Sequence, residues 1–186
     1  MKKTLIALSL TLASTSSFAN DMFSFDGAKK SVNGGYASVE DLSGVTFGGH
    51  IDLTSGLYFD ASYFTVSGDE TFFGTSVDLE LSQLVVVAGM QFPVSDDKYW
   101  LAELGLARVS SEVGNFEVTE SELAYKLGYG WDFGNKLSAE AYLADEGGDS
   151  FIGAIANYEV NEQFDVSFEY KLYDDAHMFI TGSYKF

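Results

Sequence analysis

Residues 122–133 read Glu122-Leu123-Ala124-Tyr125-Lys126-Leu127-Gly128-Tyr129-Gly130-Trp131-Asp132-Phe133. Every odd position is large and apolar or aromatic, while the even positions hold Glu, Ala, Lys, Gly and Asp. That period of two puts one greasy row on one face of a β-strand. The alternation recurs at Val45, Phe47, Gly49, Ile51, Leu53 opposite Thr46, His50, Asp52, and at Phe164, Val166, Phe168, Tyr170, Leu172 opposite Asp165, Ser167, Glu169, Lys171. Ten strands are expected, near 31–40, 43–53, 57–66, 76–92, 99–110, 120–133, 137–144, 150–160, 164–173 and 177–186.

Tight turns at Thr54-Ser55-Gly56, Gly134-Asn135-Lys136 and Asn161-Glu162-Gln163, and a slightly longer one from Pro93 to Lys98, alternate with connections that are mostly longer and more acidic, such as Ser67 to Ser76 and Ser110 to Thr119. Short turns at one end and long loops at the other are how outer-membrane barrels are strung. Nearly every strand offers an apolar face about ten residues long, enough to cross hydrocarbon at a tilt. A soluble sandwich would blunt its edge strands with Lys and Pro, and the chain has one proline. Aromatics gather at strand ends, with Tyr99, Trp100, Trp131, Phe133, Tyr158, Phe164, Tyr184 and Phe186 near the turns and Phe64, Phe151, Tyr173 and Phe179 near the loops, as two interfacial girdles would. In the fourth strand the phase slips between Leu81 and Leu84, as a bulge or a strand projecting above the membrane would make it. The fold class expected is all-β, a closed antiparallel transmembrane barrel of ten strands with eight as the fallback. Closure is required, because an open edge in lipid leaves backbone groups unpaired.

The 186 residues contain no cysteine, and 28 acidic side chains face 10 basic ones for a net charge of −18. Disulfide scaffolds and thiolate metal sites are excluded, as is a nucleic-acid surface built on neutralised phosphates. Lys2 and Lys3, the apolar stretch Leu5 to Leu12, and Ser17-Phe18-Ala19 form a secretory signal. The expected organisation is a cleaved signal peptide over 1–19, a short periplasmic segment over 20–30, and the barrel over 31–186.

The C-terminus alternates Met178, Ile180, Gly182, Tyr184, Phe186, and this ending resembles the recognition signal that bacterial outer-membrane barrels present to their insertion machinery. Val32-Asn33-Gly34-Gly35-Tyr36-Ala37 is similar to the first strand of the OmpX group, within the superfamily of OmpX and the OmpA transmembrane domain. Those domains have eight strands against the ten counted here. The resemblance implies an outer-membrane location reached through periplasmic chaperones and the barrel-insertion machinery, with Tyr184 and Phe186 as the insertion signal. It also implies lipid and lipopolysaccharide as surroundings, and a role in adhesion, envelope integrity or defence.

With apolar faces outward, the lumen receives Asp52, Asp60, Asp78, Glu80, Glu103, Glu122, Asp132, Glu140, Glu159, Asp165 and Glu169. They are opposed by Lys126, Lys171 and Lys185, with Arg108 and His50 as further candidates. Two readings stand: a salt-bridged plug, or a narrow passage whose negative lining favours cations. Asp175-Ala176-His177 resembles the Asp-x-His dyad of omptin proteases, but omptins add a second aspartate pair and are far longer, and a polar hairpin tip accounts for the spacing. No catalytic residue is assigned, and no cofactor or metal is expected, since two lone histidines fall short of a zinc site. Acidic loops with Phe72-Phe73 and Phe116 are where an extracellular partner would bind.

Overall fold

The computed structural model describes residues 28–53, 56–72, 75–114 and 116–186. The signal over 1–19 and most of the segment over 20–30 lie outside them, as does Phe73. Among the described residues there are ten strands: β1 (Lys29–Val39), β2 (Leu42–Asp52), β3 (Leu57–Phe72), β4 (Thr75–Ser95), β5 (Lys98–Val113), β6 (Phe116–Asp132), β7 (Leu137–Glu146), β8 (Ser150–Asn161), β9 (Phe164–Leu172) and β10 (Ala176–Lys185). Each pairs antiparallel with its chain neighbours, and β1 pairs with β10 from Ser31↔Lys185 to Val39↔His177, so the sheet closes into a barrel. Ten strands bring both ends of the barrel segment to the same rim.

The turns at that rim follow from their residues. At β6–β7, Gly134, Asn135 and Lys136 all take positive φ, and the Asp132 carboxylate accepts the Gly134 N–H at 2.8 Å. At β8–β9, the Asn161 side chain accepts from the N–H groups of Gln163 and Phe164, an Asx turn. Pro93, which cannot donate to a ladder, sits where the β4–β5 register shifts.

The predicted faces hold. On β6, Leu127 is 63% exposed and its neighbours Ala124 and Gly128 are buried. Val45, Phe47, Leu104, Leu123, Leu143, Ile152, Val166 and Ile180 are exposed on other parts of the same belt. A closed ring of large apolar side chains this extensive would be an aggregation surface in water and is the surface expected against acyl chains. At the rim with the tight turns, Trp100 packs edge-on against Tyr129 and Tyr129 against Trp131, both with ring centroids 4.7 Å apart. Phe164 packs on Tyr184 at 5.1 Å. This girdle is outside.

The girdle expected at the other end is not. Phe64, Phe151 and Phe179 are buried inside the bore, and Tyr173 stacks on Phe151 at 4.1 Å. They occupy inward positions of their strands. Tyr99, placed with the periplasmic girdle, also points inward, because its hydroxyl bonds to Glu140 on β7.

The described residues of the two long loops are almost all strand. β3, β4, β5 and β6 run 16, 21, 16 and 17 residues, against 9 to 12 for the others. About ten residues suffice to cross the hydrocarbon, so these four rise above it as a sheet. No bulge interrupts β4 at residues 81–84: its register with β3 runs unbroken from Met90↔Leu57 to Thr75↔Phe72. The phase slip is an exchange of environments. Below Gln83 the outward face meets lipid and is apolar. Above it the outward face meets water, with Thr65, Ser82, Ser110 and Thr119 in register across four strands, then Ser67, Glu80, Glu112 and Glu117 in the next outward row. The inward face switches to Val66, Leu81, Val109 and Val118.

Candidate functional site: a braced lumen and its extracellular vestibule

The middle of the bore is built from three copies of one device. Tyr58 on β3 lies over its register partner Gly89 on β4, and a Cβ at Gly89 would sit 2.2 Å from the tyrosine Cζ. With that groove empty, the ring crosses β4 and donates its hydroxyl to Glu103 Oε1 on β5 at 2.6 Å. Tyr99 crosses Gly130 and donates to Glu140 at 2.6 Å, and Tyr142 crosses Gly153 and donates to Glu169. Each unit spans three strands and the next begins where the last ended, so a diagonal of Tyr, Gly and Glu winds from β3 to β9. Lys126 Nζ stands 2.6 Å from Glu103 and 5.0 Å from the centre of the Tyr142 ring, linking the first unit to the third.

At the rim with the tight turns, His50 contacts Asp52 at 3.1 Å and Asp60 at 3.3 Å, and Lys185 stands 2.7 Å from Asp165 and 3.7 Å from Glu159. Near the opposite mouth, Lys171 is buried with its Nζ 2.7 Å from Glu146 and 5.3 Å from the ring centres of both Phe151 and Phe179. Here contacts join strands that are not neighbours: Gln83 Nε2 on β4 donates to the Glu146 carbonyl on β7 at 3.0 Å, and Phe64 on β3 packs on Phe179 of β10 at 5.4 Å.

Of the predicted lumen residues, the structure gathers Asp52 and Asp60 around His50, Glu103 with Lys126, Glu140 and Glu169 with tyrosines, Asp165 with Lys185, and Lys171 with Glu146. Asp132 sits at the rim capping its turn. Asp78 and Glu80 are not in the lumen: they share the outward face of β4 with Leu84 and Val86, and Glu80 accepts a hydrogen bond from Thr65 at 3.2 Å. Their inward assignment fails because the outer face of β4 keeps its direction through residues 81–84 and changes only its solvent. Arg108 is outward as well, on the face of Leu104 and Leu106. Tyr184 and Phe186 lie on the outer face at the end of the chain, stacked at 6.2 Å. His177 packs on the Tyr173 ring at 4.4 Å, and among the described residues no hydrogen bond joins it to Asp175.

Tyr58, Tyr142 and Glu146 are lumen residues that the sequence does not single out, in addition to Phe64, Phe151, Phe179 and Tyr99 described above. Tyr58 and Tyr142 occupy inward positions, and the signal for them is a tyrosine whose neighbours along that face, Gly56 and Asp60 or Glu140 and Ala144, are small or charged. Above the Lys171 layer the mouth opens into a vestibule of about 440 Å³. Its walls are the inner face of the β3–β6 sheet on one side and the β7–β8 and β9–β10 hairpins on the other. Among the described residues, no group of histidines and carboxylates is arranged to hold a metal ion.

A closed antiparallel barrel with a lipid-facing belt, an interfacial aromatic girdle and a polar filled bore is the architecture of small bacterial outer-membrane proteins. No family model matches the sequence, and no curated protein matches it. Among solved structures the chain is similar to the KdgM porin, with 11% identity, a TM-score of 0.50 and coverage of 84% of this chain and 99% of that one. It is also similar to Ail, the attachment invasion locus protein of Yersinia pestis, in complex with the heparin analogue sucrose octasulfate, at 15% identity, a TM-score of 0.43 and coverage of 86% and 99%. Neisserial surface protein A aligns at 12% identity and a TM-score of 0.35, over 85% and 94%. What the chain shares with the porin is the fold.

Proposed function

We propose that this chain is a non-enzymatic outer-membrane protein whose role is interaction at the cell surface, exported through cleavage of the segment 1–19 and inserted by the barrel machinery through the ending Tyr184-Lys185-Phe186. The observation that carries this reading is the β3–β6 extension. Four strands continue past the belt with a polar outer face, and from Phe116 to Leu123 the β6 edge has no strand beside it, since pairing with β7 starts at Ala124↔Glu146. An unpaired edge recruits other strands, and its Glu117, Glu120 and Glu122 restrict which ones. The braced bore supports a structural role for the rest. Lipopolysaccharide surrounds the outer face of the extension.

The test is to replace residues 110–119 with a two-residue Asn-Gly turn, which shortens the β5–β6 hairpin to the belt. The barrel is expected to fold, retaining its heat-sensitive mobility on gels, while binding of expressing cells to surfaces is lost. Binding that survives the replacement overturns the reading.

A second reading, a narrow passage preferring cations, is favoured by the surplus of inward carboxylates over Lys126, Lys171 and Lys185. Salt-dependent, cation-selective steps in planar bilayers support it, and silence removes it.

A further inference from the structure

The vestibule has two unlike walls. On the β4–β6 side it presents Leu81, Val109 and Val118, with Val118 59% exposed. The adjoining Phe116 is 80% exposed, so this apolar face continues upward uncovered. Its counterpart on β3 and β1–β2 is closed off, since Val66 packs with Val39 and Phe64, and Leu42 and the near side of Leu81 pack against them. The bare part is therefore confined to the β5–β6 half, facing the vestibule.

The other wall is acidic. Asp149 from the β7–β8 hairpin and Asp174 and Asp175 from the β9–β10 turn line this side, while Glu120, the register partner of Val109, adds a carboxylate beside the apolar wall. The basic group among its described lining residues is His177, whose ring packs at a tilt on Tyr173. Lys171, beneath, is already engaged by Glu146 at 2.7 Å, so it does not neutralise the rim. The floor is held by Gln83 bonding to the Glu146 carbonyl and by Phe151 stacked on Tyr173, which makes the space preformed rather than dependent on a partner to create it.

We infer that the vestibule binds a small amphipathic cation, an ammonium group on an apolar body, with the body against Leu81, Val109 and Val118 and the charge toward Asp149, Asp174 and Asp175. Size fits: the space lies within the roughly 300–1,000 Å³ of small-molecule sites. Charge complementarity selects the sign, because an anion would be repelled from the carboxylates and a neutral molecule would gain nothing from them. Val118 and Glu120 lie on the same stretch of β6 whose free edge the surface reading uses, but their side chains face the mouth, so the amine titration reads this site and cell binding reads the edge.

The experiment uses the barrel in nanodiscs of zwitterionic lipid, titrated with 4-phenylbutylammonium and, separately, with 4-phenylbutanol, 4-phenylbutyrate and butylammonium. The readout is the amide shifts of Val118, Gly147 and Ser150 against those of Val86 and Leu127 in the belt. The phenylbutylammonium is expected to saturate at the vestibule amides with an affinity at least about tenfold above the alcohol and above butylammonium, and the carboxylate is expected to leave them unmoved. Exchanging Asp149, Asp174 and Asp175 for Asn together should bring the amine down to the level of the alcohol. Val118→Ser should weaken amine and alcohol alike. Both changes are at exposed positions, and folding is verified by heat-sensitive gel mobility. Equal binding of amine and alcohol, equal binding of butylammonium, or shifts as large in the belt as at the mouth would each overturn the inference.

Discussion

Lys126 Nζ stands 2.6 Å from Glu103 Oε1, and that same oxygen accepts the Tyr58 hydroxyl at 2.6 Å. One carboxylate thus joins a cation from β6 to a phenol from β3, with its side chain 9% exposed and that of the lysine 16% exposed. Removing the cation alone leaves a carboxylate with one neutral donor in a poorly hydrated bore. Lys126→Met is expected to cost about 3–5 kcal/mol, read as a lowered urea midpoint for the detergent-solubilised barrel. Pairing it with Glu103→Gln should restore most of the loss. A double variant no more stable than Lys126→Met would show that the ion pair does not carry the effect.

The glycine grooves make a coupled prediction. Gly89→Ala and Tyr58→Phe both break the Tyr58–Glu103 bond, the first by pushing the ring aside and the second by removing its hydroxyl. Each is expected to destabilise by about 1–3 kcal/mol. Because they remove the same interaction, their double variant should fall short of the sum. Strict additivity, measured by unfolding in the same detergent, would mean that Gly89 is small for another reason. Gly130 with Tyr99, and Gly153 with Tyr142, offer the same test twice more.

Acid should tighten the tip of the β3–β4 hairpin. Asp69 and Asp78 are register partners on the outer face, above the lipid belt. A hydrogen bond between the two carboxyls, and then the charge of Asp78, holds Asp69 above the usual carboxylate range. A raised acid favours its protonated form in the folded protein. Its stabilisation is therefore fully present below the unfolded value of about 4 and is lost as pH rises through the raised one. Amide exchange at Gly68 and Val77, corrected for intrinsic rates, is expected to slow as pH falls toward about 4. In Asp78→Ala that dependence should vanish.

Much of the barrel was legible because lipid and bore impose opposite chemistries on alternate residues, and Leu123 to Phe133 displays both. The strand count, the faces of β2, β6 and β9, and the clustering of Asp165, Glu169 and Lys171 indoors follow from that. What escaped has three separate causes. Above the membrane the outer solvent becomes water, so Asp78, Glu80, Glu112 and Glu117 look like loop or lumen when read with one rule for the whole strand. Tyr58 could not be paired with Glu103 from sequence, since they are 45 residues apart and meet only once two hairpin registers are fixed. Phe64, Phe151 and Phe179 followed the reflex that rings near strand ends face the interface. Their parity, beside Val66, Gly153 and Thr181, puts them inside.

One face of β4 changes solvent along its length, from lipid at Val86 to water at Glu80. Because the chain lacks cysteine, single cysteines at positions 78, 80, 84 and 86 can carry nitroxide labels in lipid bilayers, with collision rates measured against oxygen and a nickel chelate. Labels at 84 and 86 should collide chiefly with oxygen and those at 78 and 80 chiefly with the chelate, all four being mobile surface sites. Immobile labels at 78 and 80, shielded from both reagents, would place those positions in the bore and contradict the account.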